Sequence, residues 1–151
     1  EEQKKDFLKL LQNVKQREVG LIVVDGMAML YRLELGDASQ LKDESKVKEV
    51  NREMANQMKT LAEIARKQNI PILITNQVYT EFLSEQDLRK GVEKKVNLVG
   101  GDLLKYWSKC IIELKQEGSK RKAILLKHRS LPQKELIFEI ISKGIKKKGW
   151  I

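Results

Sequence analysis

The stretch from Glu18 to Glu34, EVGLIVVDGMAMLYRLE, constrains the architecture of this chain more than any other. Leu21, Ile22, Val23 and Val24 form a continuous apolar run, with Val19 just ahead of it. The run is too short for a membrane span and rich in β-branched side chains, as expected of a strand buried on both faces in a parallel sheet. It stops at Asp25-Gly26. Ligands of open α/β sheets gather beyond the carboxyl ends of the strands. A carboxylate at that edge suits a hydrated Mg2+ beside a nucleotide, because Mg2+ takes oxygen ligands and keeps several waters. A plain buried strand ending in a turn aspartate would carry the same residues.

The flanking sequence predicts an α/β fold. Phe7, Leu8, Leu10, Leu11 and Val14 recur at helical spacing before the strand. After it, Met27 to Leu35 reads as a short helix or extended turn, and Gly36 to Lys46 (GDASQLKDESK), polar and without an apolar period, as a surface loop. Val47 to Asn69 is the clearest helix, its buried face marked by Val50, Met54, Met58, Leu61, Ile64 and Ala65. Ile70 to Thr75 (IPILIT) is a second buried strand, and strand, long helix, strand makes the two strands parallel. Glu81 to Leu98 is charged and aperiodic, a long loop. Asp102 can cap a short helix through Trp107. Lys109 to Lys115, Lys122 to Lys127 and Leu136 to Ile141, joined by short connections, read as an antiparallel meander, with a basic tail from Gly144.

Length and composition bound the rest. A chain of 151 residues is one domain or part of one. A 41% hydrophobic and 34% charged composition is globular and not disordered. No apolar run approaches the roughly 20 residues of a membrane helix. The lone Cys110 excludes an internal disulfide and fits a reducing cytoplasm, and the lone His128 argues against a conventional zinc site. A formal net charge of +9 favours a polyanionic partner, nucleic acid first, although a Lys/Glu-rich surface also occurs in heat-adapted proteins.

Four stretches then fall in one order: LIVVDGMAMLYRLE, ITNQVY (Ile74 to Tyr79), VGGDLLKYWSKCIIEL (Val99 to Leu114) and KHRSLPQKELIFEI (Lys127 to Ile140). Together they resemble the carboxyl-terminal part of the ATPase core of the RecA/RadA recombinase superfamily, most of all its archaeal RadB paralogues, from about Val19 to the end. The resemblance implies a RecA-like P-loop ATPase core in which residues 1–151 form the carboxyl-terminal portion of a single domain. It makes Asp25 the Walker B acid that orients Mg2+ through water. Strand-exchange proteins of this superfamily usually carry Ser after that Asp, where this chain has Gly26. Gln77 corresponds to the sensor of the ATP γ-phosphate, with Thr75 and Asn76 holding its turn; a neutral amide can bond a phosphate oxygen and register its loss.

By the same resemblance the segments Gly36 to Lys46 and Glu81 to Leu98 approach DNA. The second offers Arg89, Lys90, Lys94 and Lys95 to backbone phosphates, but also Glu81, Glu85, Asp87 and Glu93, as a solvated charged loop would. The expectation is modest, sequence-independent binding, single strands first. In related ATPases a Lys-x-Arg pair like Lys127 and Arg129 reaches the nucleotide of a neighbouring subunit. Strand alternation would put both on one face and turn His128 away as a packed or surface histidine. A solvated basic strand end would look the same.

The phosphate-binding pattern Gly, four residues, Gly, Lys, Ser or Thr occurs nowhere in the chain; only Gly144 and Gly149 have the first spacing, and Trp150-Ile151 follow them. In the superfamily this Walker A loop, and the acid that activates water, precede the Walker B strand. The chain is therefore expected to be the carboxyl-terminal portion of a longer ATPase, with negligible hydrolysis on its own. The implied function is ATP-dependent DNA binding in recombination and repair, accessory to the main recombinase, through self-association or contact with that recombinase or a resolvase. The alternatives are a KaiC-like signalling ATPase and a non-hydrolysing interaction scaffold, neither binding DNA.

Overall fold

The computed structural model describes residues 2–16, 18–80, 89 and 96–148. The chain divides into two compact units, Glu1–Trp107 and Ser108–Ile151.

The first unit is built on the strand that opens at Ile22. Helix α1 (Glu2–Gln16) leads into β1 (Ile22–Val24), and α2 (Met29–Gln40) and α3 (Glu44–Gln68) carry the chain to β2 (Ile72–Ile74). The two strands pair in parallel, with Ile22 opposite Ile72 and Val24 opposite Ile74. Ile22, Val24, Ile72 and Ile74 turn to the helices, packing among Leu10, Val14, Met54, Met58, Leu61 and Ile64. The other face is not covered among the described residues: Val23 and Leu73 are each 55% exposed. The expectation of burial on both faces is corrected here. Two short strands make one layer, and α1 and α3 pack on the same side of it.

Helix α3 follows its apolar period. Val50, Met54, Met58, Leu61 and Ile64 are buried, and Gln57 is buried with them. Asp43 caps its start, accepting from the Lys46 N–H at 3.0 Å, and Asn69 ends it in the left-handed region. The expected loop Gly36 to Lys46 contracts to residues 41–43. The α2 helix runs on through Gly36 because packing outweighs the ~1 kcal/mol helix cost of a glycine. Ala38 is fully buried, Ser39 donates to the Leu35 carbonyl at 2.7 Å, and Tyr31 donates to Asn51 of α3 at 2.8 Å.

After β2, β3 (Val78–Thr80) pairs antiparallel with β4 (Val96–Leu98), and α4 (Gly101–Trp107) closes the unit. Both β3 and β4 escaped the sequence reading, since three-residue strands show no period and their pairing is non-local. The interior of the expected loop, apart from Arg89, lies outside the described residues.

The second unit is the expected meander with one more strand: β5 (Ile111–Glu117), β6 (Lys120–Lys127), β7 (Lys134–Ile141) and β8 (Gly144–Lys147), hydrogen-bonded in that order. The basic tail is thus an edge strand up to Lys147. Gly144, at φ +118°, makes the reversal that returns it against β7. One face of this sheet carries an ion-pair row. Glu117 accepts from Lys122 at 2.8 Å and from Lys115 at 3.0 Å, and Lys122 also reaches Glu135 at 3.7 Å.

These two lysines, Lys122 first, hold the Glu117 carboxyl at about 2, below the ordinary 4.5. A depressed carboxylate favours the fold above its unfolded value, and that contribution fades as pH falls from about 4.5 towards 2. An NMR pH titration is expected to find Glu117 the most acidic glutamate of this sheet, and Lys122→Met to raise it towards the ordinary range. An unchanged Glu117 titration in that variant would sink the assignment.

Candidate functional site

The carboxyl ends of the two parallel strands are laced together by backbone and side chain. The Thr75 N–H donates to the Val24 carbonyl at 3.0 Å, and the Met27 N–H donates to the Thr75 carbonyl at 3.2 Å. The Thr75 hydroxyl donates to the Asp25 carboxylate and accepts from the Gly26 N–H, the latter at 2.9 Å. Asp25 is exposed, and its side chain is held by a neutral donor with no ion pair among the described residues. Thr75 therefore fixes the carboxylate's direction.

The next two residues are fixed to a third element. Asn76 donates through its amide to the Val99 carbonyl at 2.6 Å, and the Val99 N–H donates to the Gln77 carbonyl at 3.1 Å. Val99 is itself buried in the core with Met27 and Leu104. Gln77 thus sits on a backbone clamped at both sides, with an exposed side chain. Asp25 and Gln77, assigned separately in the sequence, end on neighbouring strands at one sheet edge, and Thr75 and Asn76 hold the turn between them.

Gly26 has φ +72°, in the region that L side chains rarely adopt. A Cβ there would meet only Met29 Cβ, at 3.9 Å, so space is not the constraint. The dihedral is, at about 1–2 kcal/mol for a non-glycine residue. A serine in this place would add a backbone cost as well as a hydroxyl. Gly26→Ala is expected to destabilise the chain by about 1 kcal/mol in urea unfolding, and Gly26→Asn by less, because asparagine tolerates this region better. Equal stability of the alanine variant and the parent would contradict the dihedral account.

Lys127 and Arg129 belong to the second unit. Strand β6 ends at Lys127, so alternation does not extend to Arg129 and cannot place the pair on one face. The chain bends at once because the His128 ring organises the turn: its Nδ1 accepts from the N–H groups of Ser130 at 3.2 Å and Leu131 at 3.0 Å. Both basic side chains are exposed. Arg89 is likewise exposed, and Lys90, Lys94 and Lys95 lie outside the described residues.

A hollow of about 500 Å3 lies at the far end of β1, lined by Val14, Glu18, Val19, Gly20, Gln68 and Ile70. Glu18 is the one ionisable side chain among its described lining residues, and the hollow lies at the opposite end of the strands from Asp25 and Gln77. Among the described residues no three His, Cys, Asp or Glu side chains gather as a direct metal cage. One oriented carboxylate with a hydroxyl beside it fits a cation that keeps most of its water, as Mg2+ does. No helix among the described residues is long and apolar enough to cross a membrane.

The Rad51 family model matches residues 1–148. The chain is 42% identical over 137 residues to the "DNA repair and recombination protein RadB" of Methanococcus maripaludis (strain C7), covering 90% of this chain and 54% of that protein. It is 34% identical over 134 residues to the RadB of Methanosphaera stadtmanae, covering 87% and 51%, and 39% identical over 125 residues to that of Methanocaldococcus jannaschii, covering 83% and 51%. The chain spans about half the length of the curated relatives it matches. With a parallel strand pair ending in Asp25 and Thr75-Asn76-Gln77, followed by an antiparallel meander, the chain belongs to the Rad51 family.

Proposed function

We propose that this chain is the carboxyl-terminal portion of the ATPase domain of a RadB-like protein, which binds DNA in an ATP-dependent way and assists a main recombinase in repair and recombination. The observation that carries this reading is the joining of Asp25 and the Gln77 turn at one edge of a parallel strand pair. Asp25, aimed by Thr75, would hold a hydrated Mg2+ through water. Mg2+ with ATP would supply the charge neutralisation that phosphoryl transfer requires. Gln77 would donate its amide to a γ-phosphate oxygen from a backbone that Val99 keeps still. Lys127 and Arg129 would place two cations against the nucleotide of a neighbouring subunit, where developing negative charge is stabilised. Arg89, Lys90, Lys94 and Lys95 would neutralise phosphates of a single strand. The setting is the cytoplasm, with self-association or the recombinase as protein partner.

The test separates this reading from a signalling ATPase or a scaffold. Anisotropy of a labelled oligo-dT across a KCl series is expected to show binding that weakens steeply with salt, since each neutralised phosphate of a single strand adds about −0.7 to the slope of log K on log salt. ATP-dependent oligomers indifferent to DNA would favour the signalling reading instead. The chain alone is expected to hydrolyse essentially no ATP; turnover that Asp25→Ala abolishes would overturn the assignment of the phosphate cradle to residues outside these 151.

A further inference from the structure

The positive charge of this chain is not shared between its two units. Ser108–Ile151 carries twelve Lys and Arg against four Glu, a net +8 of the whole chain's +9, while Glu1–Trp107 is close to neutral. Within the second unit the charge is also uneven. Two of its glutamates, Glu117 and Glu135, are paired with Lys115 and Lys122. At the β8 edge, Lys143 in the reversal, Lys146 and Lys147 in the strand and Lys148 after it are all exposed. The one acid in register with that strand is Glu139, opposite Lys146.

Strand β8 ends the sheet order, so its outer side has no neighbouring strand in this unit. Lysines on an edge commonly guard against edge-to-edge pairing. One or two suffice for that, whereas this edge has four within six residues, facing a single carboxylate. Within the strand Lys147 lies on the face of Phe138 and Lys146 on the face of Glu139, so both sides of the strand present ammonium groups. Ammonium groups on flexible stems bind phosphates as point charges, without a fixed bidentate geometry. That suits a backbone whose phosphates lie along a line and whose bases go unread.

We propose that the β8 edge, Lys143, Lys146, Lys147 and Lys148, is a nucleic-acid backbone site separate from the segment between β3 and β4. This rests on the DNA-binding reading above and relocates its main electrostatic contribution.

The experiment uses the full chain and fluorescein-labelled dT30 across a KCl series, with three variants checked by far-UV circular dichroism. K143A/K146A/K147A/K148A is expected to bind at least about tenfold more weakly at 0.1 M salt, with a slope shallower by about 1–3, since four single-strand phosphate contacts account for roughly 2.8. K143R/K146R/K147R/K148R keeps the charge and is expected to keep the parent slope. R89A/K90A/K94A/K95A is expected to change it less than the β8 alanine variant does. Parent-like binding by the β8 alanine variant, with a flattened slope in the other alanine variant, would overturn the site and leave the DNA reading standing. No binding of dT30 by the parent chain would overturn both. If the β8 lysines govern adsorption to phosphatidylserine vesicles and leave dT30 binding unaltered, the partner is a membrane surface and the proposal is wrong.

Discussion

Replacing Leu61 by alanine is expected to lower the stability of the first unit by about 3 kcal/mol, within the range of roughly 2–5 for a buried Leu→Ala change. Leu61 is 2% exposed at the centre of α3, where it packs with Met27, Met54, Met58, Val99 and Leu104. Truncation removes apolar area from the face of the β1–β2 pair that the helices cover. The lost contacts come from α3, from the loop after β1 and from the segment before α4, so no single element can shift to fill the space. Urea unfolding read by Trp107 emission, in a Trp150→Phe background, should show a lower midpoint at an unchanged slope. Leu41→Ala, at a position 77% exposed, is the matched control and should move stability by no more than about 0.5 kcal/mol. If the two variants unfold together, the core assignment is wrong.

In a protein that joins this chain to a phosphate-binding loop, Thr75→Val is expected to weaken Mg2+ affinity and ATP turnover by about 10- to 100-fold, the usual effect of removing a group that orients a metal-holding residue. Valine matches threonine in shape and lacks the hydroxyl that donates to Asp25 and accepts from the Gly26 N–H. Both partners are then left to solvent, and the carboxylate can rotate. Stability should fall by only about 1 kcal/mol, because the freed groups are near the surface and water can replace the bond. Thr75→Ser restores the hydroxyl and should restore affinity. Equal behaviour of the serine and valine variants in an Mg2+ titration would remove Thr75 from the site.

Periodicity made the long elements legible. The apolar period of α3 locates that helix, and the short apolar runs of β5, β6 and β7, joined by brief turn-rich connections, locate the meander. The parallel pairing of β1 and β2 followed from the helix between them, and with it the placing of Asp25 and the Thr75-Asn76-Gln77 turn at the same end of the pair. Three-residue strands carry no such signal. Strands β3 and β4 exist through a pairing between segments far apart in sequence, and β8 depends on a glycine reversal inside a run that otherwise reads as solvated charge. The extension of α2 over Gly36 was hidden for a related reason: Ala38 is fully buried, yet alanine is silent in a hydrophobic pattern. At the site, residue types pointed to a carboxylate and an amide. That a threonine hydroxyl joins the carboxylate to the next backbone N–H depends on the relative height of two strands, which no one-dimensional pattern encodes. His128 was read as a packed or surface side chain, and its ring serves as the acceptor that folds the chain after β6.

The left-handed turn at Gly26 also bears on how relatives should be compared. Where another protein places serine after the strand-end aspartate, a superposition that assumes the same turn would give that serine a handedness it avoids. A serine at this position in this chain would therefore meet the torsional cost that glycine avoids. The choice of residue after the aspartate is thus limited here by torsion before side-chain chemistry enters.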